Sequence, residues 1–251
     1  MRILLTNDDG ILAPGLRSLE KIARQLSKDL WVVAPDYEQS GASHSLTLTQ
    51  PLRVRKVNSR KYAVRGTPTD CVIMAIDVLL KGQKPDLILS GVNRGGNLGE
   101  DVTYSGTIAA AMEGTLLGIP SIALSQNYKH QHPVKWATAE HHGAAIVRKL
   151  LKQGWPRDVL INVNFPDVVH GQVSGVEVVR QGKRDLSDLV IDDRVDARGV
   201  PYYWIGFRRQ LGAPAEDTDL GVIARGGISV TPLQLDLTHR STLKRLKAAL
   251  P

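Results

Sequence analysis

The sequence predicts an α/β fold: a Rossmann-like, doubly wound and mostly parallel sheet with a smaller, β-rich lobe toward the C-terminus. Short apolar runs alternate with helical patterns through the first two-thirds of the chain. Aromatic residues make up only 5% of the chain and hydrophobic residues 42%, so mainly aliphatic side chains must build the core. Such a core suits parallel strands covered by helices on both faces. Beyond about residue 167 the alternation ends, which predicts the second lobe.

The first 170 residues carry the repeated strand–helix pattern and are predicted to form the Rossmann-like core. Residues 3–6 are an apolar run that ends in a polar loop, as a buried parallel strand does. Leu16 and Leu19 then recur at helical spacing, and Thr67 with Pro68 indicates a helix start, with Thr67 as N-cap. Further strands are predicted at residues 31–34, 53–57, 62–64, 86–90, 119–124 and 159–163, and further helices at 107–117 and 134–152.

The C-terminal third is read as a β-rich extension over residues 171–238 and a terminal helix within residues 239–251. Residues 176–179, 202–205 and 228–231 have the composition of separate strands. Residues 182–199 are charged and poorly patterned, and we expect a loop there. The final helix is predicted from about Ser241 to Leu250.

Whole-chain properties restrict the class of protein. The formal net charge is +7, but the basic residues are dispersed and no aromatic platform accompanies them, so a nucleic-acid polymer is not expected as the main partner. The sequence has no apolar run near the length of a membrane span and no secretory signal at its start. The single cysteine, Cys71, fits a reducing compartment and a buried structural role. We therefore expect a cytoplasmic protein without a membrane partner.

Three polar loops follow predicted strands, where open α/β sheets bind ligands. They are the first loop (residues 7–15), the second loop (residues 36–45) and the third loop (residues 91–107). In the first loop Asp8 and Asp9 can be turn residues, but adjacent carboxylates at a strand end repel each other unless a cation lies between them. The chain has no dinucleotide-binding or P-loop glycine motif. Taken alone, the first loop is still compatible with a turn, and a divalent metal is the simplest cation that would relieve the repulsion.

The third loop has the residues of a phosphate site. Gly91, Gly95 and Gly96 allow backbone amides to approach a ligand. Ser105 and Thr107 then open a helix, whose N-terminus favours an anion, although either can serve only as an N-cap.

Together, the three loops indicate a cation bound by oxygen atoms. Asp8, Asp9, Ser40 and Asn93 offer only oxygen ligands, a set that suits Mg²⁺, Mn²⁺ or Ca²⁺ rather than zinc. On an octahedral ion about two positions would remain for a phosphate oxygen and a water. By itself the second loop, which contains Ser40, is better explained as a flexible connection.

The motifs are similar to those of the SurE family of 5′/3′-nucleotidases, in order and over nearly the whole chain. They read LTNDDGILAPG from Leu5, VAPD followed by SGAS from Val33, GTPTDC from Gly66, SGVN followed by YSGT from Ser90, and SVTPL from Ser229. The resemblance implies metal ligands at Asp8, Asp9, Ser40 and Asn93. It implies phosphate contacts at Asn97, Ser105, Gly106 and Thr107. It also implies a Rossmann-like core, a cytoplasmic location and a homodimer or homotetramer assembled through the C-terminal lobe.

The expected activity is metal-dependent hydrolysis of nucleoside 5′- or 3′-monophosphates by water, with short-chain polyphosphate as a further candidate substrate. Asp8 or Asp9 could orient the water or accept its proton. His44 could protonate a leaving oxygen, or it could be a surface residue. Two alternatives remain: an aspartyl-phosphate mechanism with Asp8 as nucleophile, and a non-catalytic nucleotide- or RNA-binding module. Base preference and phosphate position are left open.

Overall fold

A nine-stranded sheet forms the centre of the molecule. The structure, a computed structural model, describes residues 1–129, 132–183, 189–207 and 213–250. The strands are β1 (Arg2–Thr6), β2 (Asp29–Pro35), β3 (Arg53–Asn58), β4 (Lys61–Arg65), β5 (Leu87–Arg94), β6 (Ser121–Gln126), β7 (Val159–Phe165), β8 (Val176–Val178), β9 (Leu189–Val195), β10 (Pro201–Phe207) and β11 (Ile228–Gln234). All except β9 and β10 belong to the large sheet.

Seven α-helices accompany these strands in the described part of the chain. They are α1 (Pro14–Arg24), α2 (Pro68–Ile73), α3 (Asp101–Tyr104), α4 (Gly106–Leu116), α5 (Trp136–Gln153), α6 (Asp219–Ala224) and α7 (Arg240–Ala249). A π-helical turn, Met74–Leu79, continues α2, and a 3-10 turn, His170–Gln172, follows β7.

The strand order is β3-β4-β2-β1-β5-β6-β7-β11-β8. The six strands from β4 to β7 in this order are mutually parallel, while β3 and β11 run antiparallel to β4 and β7. The chain adds β2 on one side of β1 and later adds β5 on the other. A crevice forms at such a switch point, beyond the carboxyl ends of the two strands, and it is the usual ligand site of open α/β sheets.

Helices cover both faces of the sheet, as the aliphatic composition predicted. On one face α1 and α5 pack closely, and a Cβ added to Gly143 would lie 2.9 Å from Ile22 Cδ1. On the other face α2 and α4 cover a second cluster that contains Cys71, which is fully buried. The predicted α/β class and the buried cysteine are therefore confirmed.

The predicted helix start at Thr67 is also confirmed. Thr67 Oγ1 accepts a hydrogen bond from Asp70 N at 3.1 Å, and Asp70 Oδ2 accepts one from Thr67 N at 2.8 Å. This reciprocal capping box pairs two amides that the first helical turn would otherwise leave unpaired.

The C-terminal third differs from the prediction in two respects. First, β8 and β11 extend the large sheet, so among the described residues only β9 and β10, which form a hairpin, lie outside it. Second, the loop expected over residues 182–199 is wrong in part, because residues 189–195 form β9, which pairs antiparallel with β10. Ile191 and Val195 are exposed there, so the strand lacks the buried alternation by which a strand is recognised. Residues 184–188 of that loop lie outside the described residues, and the division of the chain at residues 170 and 238 stays a prediction.

None of the helices in the described ranges combines the length and the hydropathy that a membrane span requires.

Candidate metal and phosphate site

The first and third loops leave neighbouring strands at the switch point of the sheet. Asp8 and Asp9 follow the end of β1, and Asn93 lies at the end of β5. The two strands are parallel and pair as far as Thr6 and Ser90. Their carboxyl ends therefore meet at one edge of the sheet, as the sequence predicted.

Asp8 lies against the N-terminus of α4. Its side chain is almost fully buried, and its Oδ1 accepts a short hydrogen bond from the hydroxyl of Thr107. A Cβ added to Gly106 would lie 2.8 Å from Asp8 Cβ and 3.0 Å from Pro68 Cγ. Glycine at this position is what allows the helix to begin directly beside the carboxylate.

Ionising both carboxylates side by side in this setting is unfavourable. Burial and, next in size, the charge of Asp9 raise the pKa of Asp8 from 3.8 to about 6, and the hydrogen bond from Thr107 offsets part of the shift. Burial also raises the pKa of Asp9, although the backbone amide of Arg94 donates to Asp9 Oδ2 at 3.1 Å and lowers it. A pair of acids held in this way favours a cation between them.

The second loop closes over this corner. Gln39 N donates to Asp8 O at 2.8 Å, and Ser43 N and Oγ donate to the carbonyls of Tyr104 and Thr103 at 3.2 and 2.7 Å. Ser40 directly follows Gln39 and is exposed; its hydroxyl donates to Glu38 Oε1 at 2.8 Å. The structure thus joins all three loops, while the hydroxyl of Ser40 has its own acceptor.

Asn93 is half-buried, and its Nδ2 donates to Gly95 O at 3.0 Å. Because the amide nitrogen is engaged by its own loop, Oδ1 is the atom of Asn93 suited to a cation. The close packing of this loop depends on Gly91, which has φ +132° and lies where a Cβ would be 2.2 Å from Leu124 O.

Asn97 lies in a buried cluster of amide side chains at the ends of β6 and β7. Its backbone N–H donates to Asn164 Oδ1 at 2.8 Å, and its carbonyl accepts from Asn162 Nδ2 at 2.8 Å and from Asn164 Nδ2 at 3.1 Å. Its side chain donates to Ser125 Oγ at 2.8 Å. These contacts join Asn97 to β6 and β7, and they do not join it to the two carboxylates.

The three remaining predicted phosphate contacts open α4. Ser105 Oγ accepts from Ile108 N at 3.1 Å, so the N-cap role is confirmed. Gly106 and Thr107 occupy the first turn, where backbone amides have no partner within the helix. A serine hydroxyl can accept one hydrogen bond and donate another, so capping by Ser105 leaves its donor available to an anion.

The donor set fits a hard divalent cation. Asn7 precedes the two carboxylates in the chain; its Oδ1 is buried without a hydrogen-bond partner among the described residues, while its Nδ2 donates to Gly10 O at 3.0 Å. Within the described residues, no group of three or more His, Cys, Asp or Glu side chains could hold a metal. A cation here would therefore depend on two carboxylates together with neutral oxygens, a combination typical of Mg²⁺ or Mn²⁺.

Several residues at this corner were not predicted. Glu38 accepts from Ser40, and its charge raises the pKa of Asp9. The guanidinium of Arg94 lies 5.2 Å from the centre of the Tyr128 ring. Asn162 and Asn164 could have been found, because two asparagines on one face of an otherwise apolar strand need buried partners.

His44 lies in the second loop, where its Nε2 is 2.9 Å from Glu113 Oε2 of α4. This contact gives His44 a structural partner. Its assignment as a proton donor stays a prediction.

Comparison with known proteins agrees with this geometry. A family model described as survival protein SurE matches residues 3–188. The 5′-nucleotidase SurE of Parvibaculum lavamentivorans is 62% identical, with 100% of this chain and 91% of that protein covered. The same-named protein of Paramagnetospirillum magneticum is 61% identical, with coverages of 99% and 95%. The crystal structure of the SurE protein from Aquifex aeolicus superposes with a TM-score of 0.85 at 42% identity, with 100% of both chains covered. The family that the motifs predicted is thereby confirmed, and the chain belongs to the survival protein SurE family.

Proposed function

We propose that this chain is a divalent-metal-dependent phosphomonoesterase that hydrolyses nucleoside 5′- and 3′-monophosphates to nucleoside and phosphate. One observation supports this proposal most strongly: the buried Asp8 carboxylate, which Asp9 follows in the chain, lies directly beside the N-terminus of α4. A cation-binding pair and an anion-binding helix end are thus in contact. Relatives that share about 60% of the sequence over the full chain carry the name 5′-nucleotidase SurE, which agrees with this chemistry.

The phosphoryl group would lie in the cradle at the start of α4. The amides of Gly106 and Thr107 and the hydroxyl of Ser105 would donate to its oxygens, which gain charge in the transition state. The side chain of Asn97 would complete the cradle from the side of β6 and β7. Because these donors belong to a helix start and a clamped loop, they are fixed before the substrate binds.

The cation would be held by Asp8, Asp9, Ser40 and Asn93. When bound, Mg²⁺ or Mn²⁺ supplies Lewis-acid activation of a phosphate oxygen and of water. Asp8 or Asp9 orients the attacking water and takes its proton, and Thr107 holds the Asp8 carboxylate in position. Of the two, Asp9 is the less buried and the better placed to exchange a proton with solvent.

A substrate panel tests the proposal. Purified protein is assayed for release of phosphate from 5′-AMP, 3′-AMP, p-nitrophenyl phosphate and tripolyphosphate, with Mg²⁺, Mn²⁺ or EDTA. We expect metal-dependent hydrolysis of the nucleotides and loss of activity in Asp8→Asn. The control Asp86→Asn should keep wild-type activity, because Asp86 lies at the amino ends of the strands, where its carboxylate accepts from Arg2 N. Tight RNA binding without turnover would favour the binding module instead, and a trapped phosphoenzyme would favour Asp8 as nucleophile.

We also propose that the chain is cytoplasmic and acts as a homodimer or homotetramer, with the extension from residue 171 to 238 as the assembly region. The β9–β10 hairpin supports assembly because large apolar side chains cover it, and Trp204 and Ile205 are 63% and 70% exposed. Exposed apolar patches of this kind mark interaction sites. Light scattering of wild type and of Trp204→Lys would test it: a monomeric variant is expected, and an unchanged mass would contradict the proposal.

A further inference from the structure

Two side chains from the C-terminal part of the chain hold one residue of the third loop by both of its backbone polar groups. Asp219 Oδ2 accepts a hydrogen bond from Gly99 N at 2.9 Å, and Gln181 Nε2 donates one to Gly99 O at 2.9 Å. We name this pair of contacts the Gly99 clamp. Gly99 lies two residues after Asn97, so the clamp holds the segment that carries a proposed phosphate contact.

Asp219 is a buried carboxylate that the proposed reaction does not use. It is fully buried at the start of α6, and its Oδ1 accepts from Gly182 N at 2.8 Å and from Leu220 N at 2.7 Å. A Cβ added to Gly182 would lie 2.8 Å from that oxygen, so the approach requires glycine. Burying a carboxylate is costly unless hydrogen bonds offset its lost hydration. Three amide donors meet that need and fix the position of Asp219.

The loop is thereby held at two points from two sides. Asn162 and Asn164 of β7 hold the backbone of Asn97, and the Gly99 clamp holds the loop two residues later. Leu98 lies between them with its side chain buried. With residues 97 and 99 fixed, the side chain of Asn97 has little freedom to move relative to β6, where it donates to Ser125 Oγ.

We propose that Asp219 and Gln181 are positioning residues of the phosphate site, acting through Gly99 to set the place of Asn97. The inference rests on the proposed function. In the sequence these two residues flank the β9–β10 hairpin, so the segment that carries the hairpin also holds the third loop. The C-terminal extension then contributes to phosphate binding as well as to assembly.

Asp219→Asn is the sharpest variant, because it changes one acceptor atom. If the remaining oxygen stays on Gly182 and Leu220, the new amide nitrogen faces the N–H of Gly99 and cannot accept from it. A catalytic group displaced by about 1 Å can lose about 100-fold in rate, so we expect kcat/KM for 5′-AMP to fall on that order. The inhibition constant of inorganic phosphate should rise in parallel, since the same cradle binds the product.

Asp217→Asn is the matched control. It removes the same charge two residues earlier, where the carboxylate pairs with Arg180 on the surface, 2.8 Å away, and the side chain of Asp217 makes no contact with the third loop among those described. We expect its kcat/KM and its phosphate inhibition constant to equal those of the wild type. Amide hydrogen exchange supplies a readout without turnover: residues 97–99 should exchange faster in Asp219→Asn than in Asp217→Asn.

Each outcome decides the proposal. A folded Asp219→Asn protein with wild-type kcat/KM, phosphate inhibition and exchange at residues 97–99 overturns it, and so does a lower melting temperature with those three values unchanged. If Asp219→Asn does not fold, Gln181→Ala provides the same comparison, because it removes only the donor to Gly99 O. If the wild type hydrolyses no nucleotide, the proposed function fails, while exchange and calorimetric binding of inorganic phosphate still decide the role of the clamp.

Discussion

Replacing Asp8 by asparagine should stabilise the metal-free protein while abolishing its activity. Burial and the charge of Asp9 raise the pKa of Asp8 from 3.8 to about 6, and this value already includes the opposing hydrogen bond from Thr107. The folded protein therefore binds the Asp8 proton more tightly than the unfolded chain does. Its free energy of unfolding falls as pH rises from about 4 to about 6 and stays low above that range.

The size of this loss in the free energy of unfolding follows from the shift in the pKa of Asp8. About two pKa units correspond to about 3 kcal/mol at 1.36 kcal/mol per unit. Asparagine is neutral at every pH, so Asp8→Asn avoids this loss. For a chain of this length about 3 kcal/mol corresponds to a rise in Tm of about 6–12 °C.

Thermal unfolding in EDTA at pH 4 and pH 8 measures the prediction. The variant and the wild type should melt at similar temperatures at pH 4, and the variant should melt higher at pH 8. Excess Mn²⁺ should raise the Tm of the wild type at pH 8 and leave that of the variant nearly unchanged. A variant that is less stable than the metal-free wild type at pH 8, or a difference that is the same at both pH values, would refute the reasoning.

Three further predictions concern the same corner. Gly106→Ala should lower the free energy of unfolding by about 1–3 kcal/mol and reduce kcat, because the added Cβ would press on Asp8. Gly171→Ala is the control for the unfolding and activity assays, since a Cβ there meets no atom within 4 Å. Asn164→Ala leaves the buried N–H of Asn97 unpaired, so denaturant titration should show a free energy of unfolding lower by about 1–3 kcal/mol. An unchanged free energy of unfolding would contradict the role of Asn164 in holding the loop. Calorimetric Mn²⁺ affinity should rise with pH through about 6 and then level off, because binding requires the Asp8 proton to leave; a flat profile between pH 5 and 7 would argue against it.

Features that depend on short stretches of sequence could be predicted. The alternation of apolar runs and helical patterns is a local property, and the structure confirms the parallel core from it. The capping box at Thr67 is likewise encoded within four residues. The three loops could be placed at one sheet edge because parallel strands bring their carboxyl ends together.

Features that depend on contacts between distant residues could not be predicted. Asn97 and Asn164 are 67 positions apart, and Gly99 and Asp219 are 120 apart. No local sequence pattern indicates that residues so far apart in the chain are in contact. The strand β9 was missed for another reason: charged residues at 192–194 interrupt its apolar pattern, Ile191 and Val195 are exposed, and the strand is held by pairing with β10.

The most direct test of the account is a manganese anomalous difference map from crystals of protein shown to hydrolyse 5′-AMP. The account predicts one strong peak within coordination distance of the carboxylates of Asp8 and Asp9, and no peak there in crystals of Asp8→Asn. Active protein whose crystals show no ion beside either carboxylate would contradict the claim that these neighbouring carboxylates hold the catalytic cation.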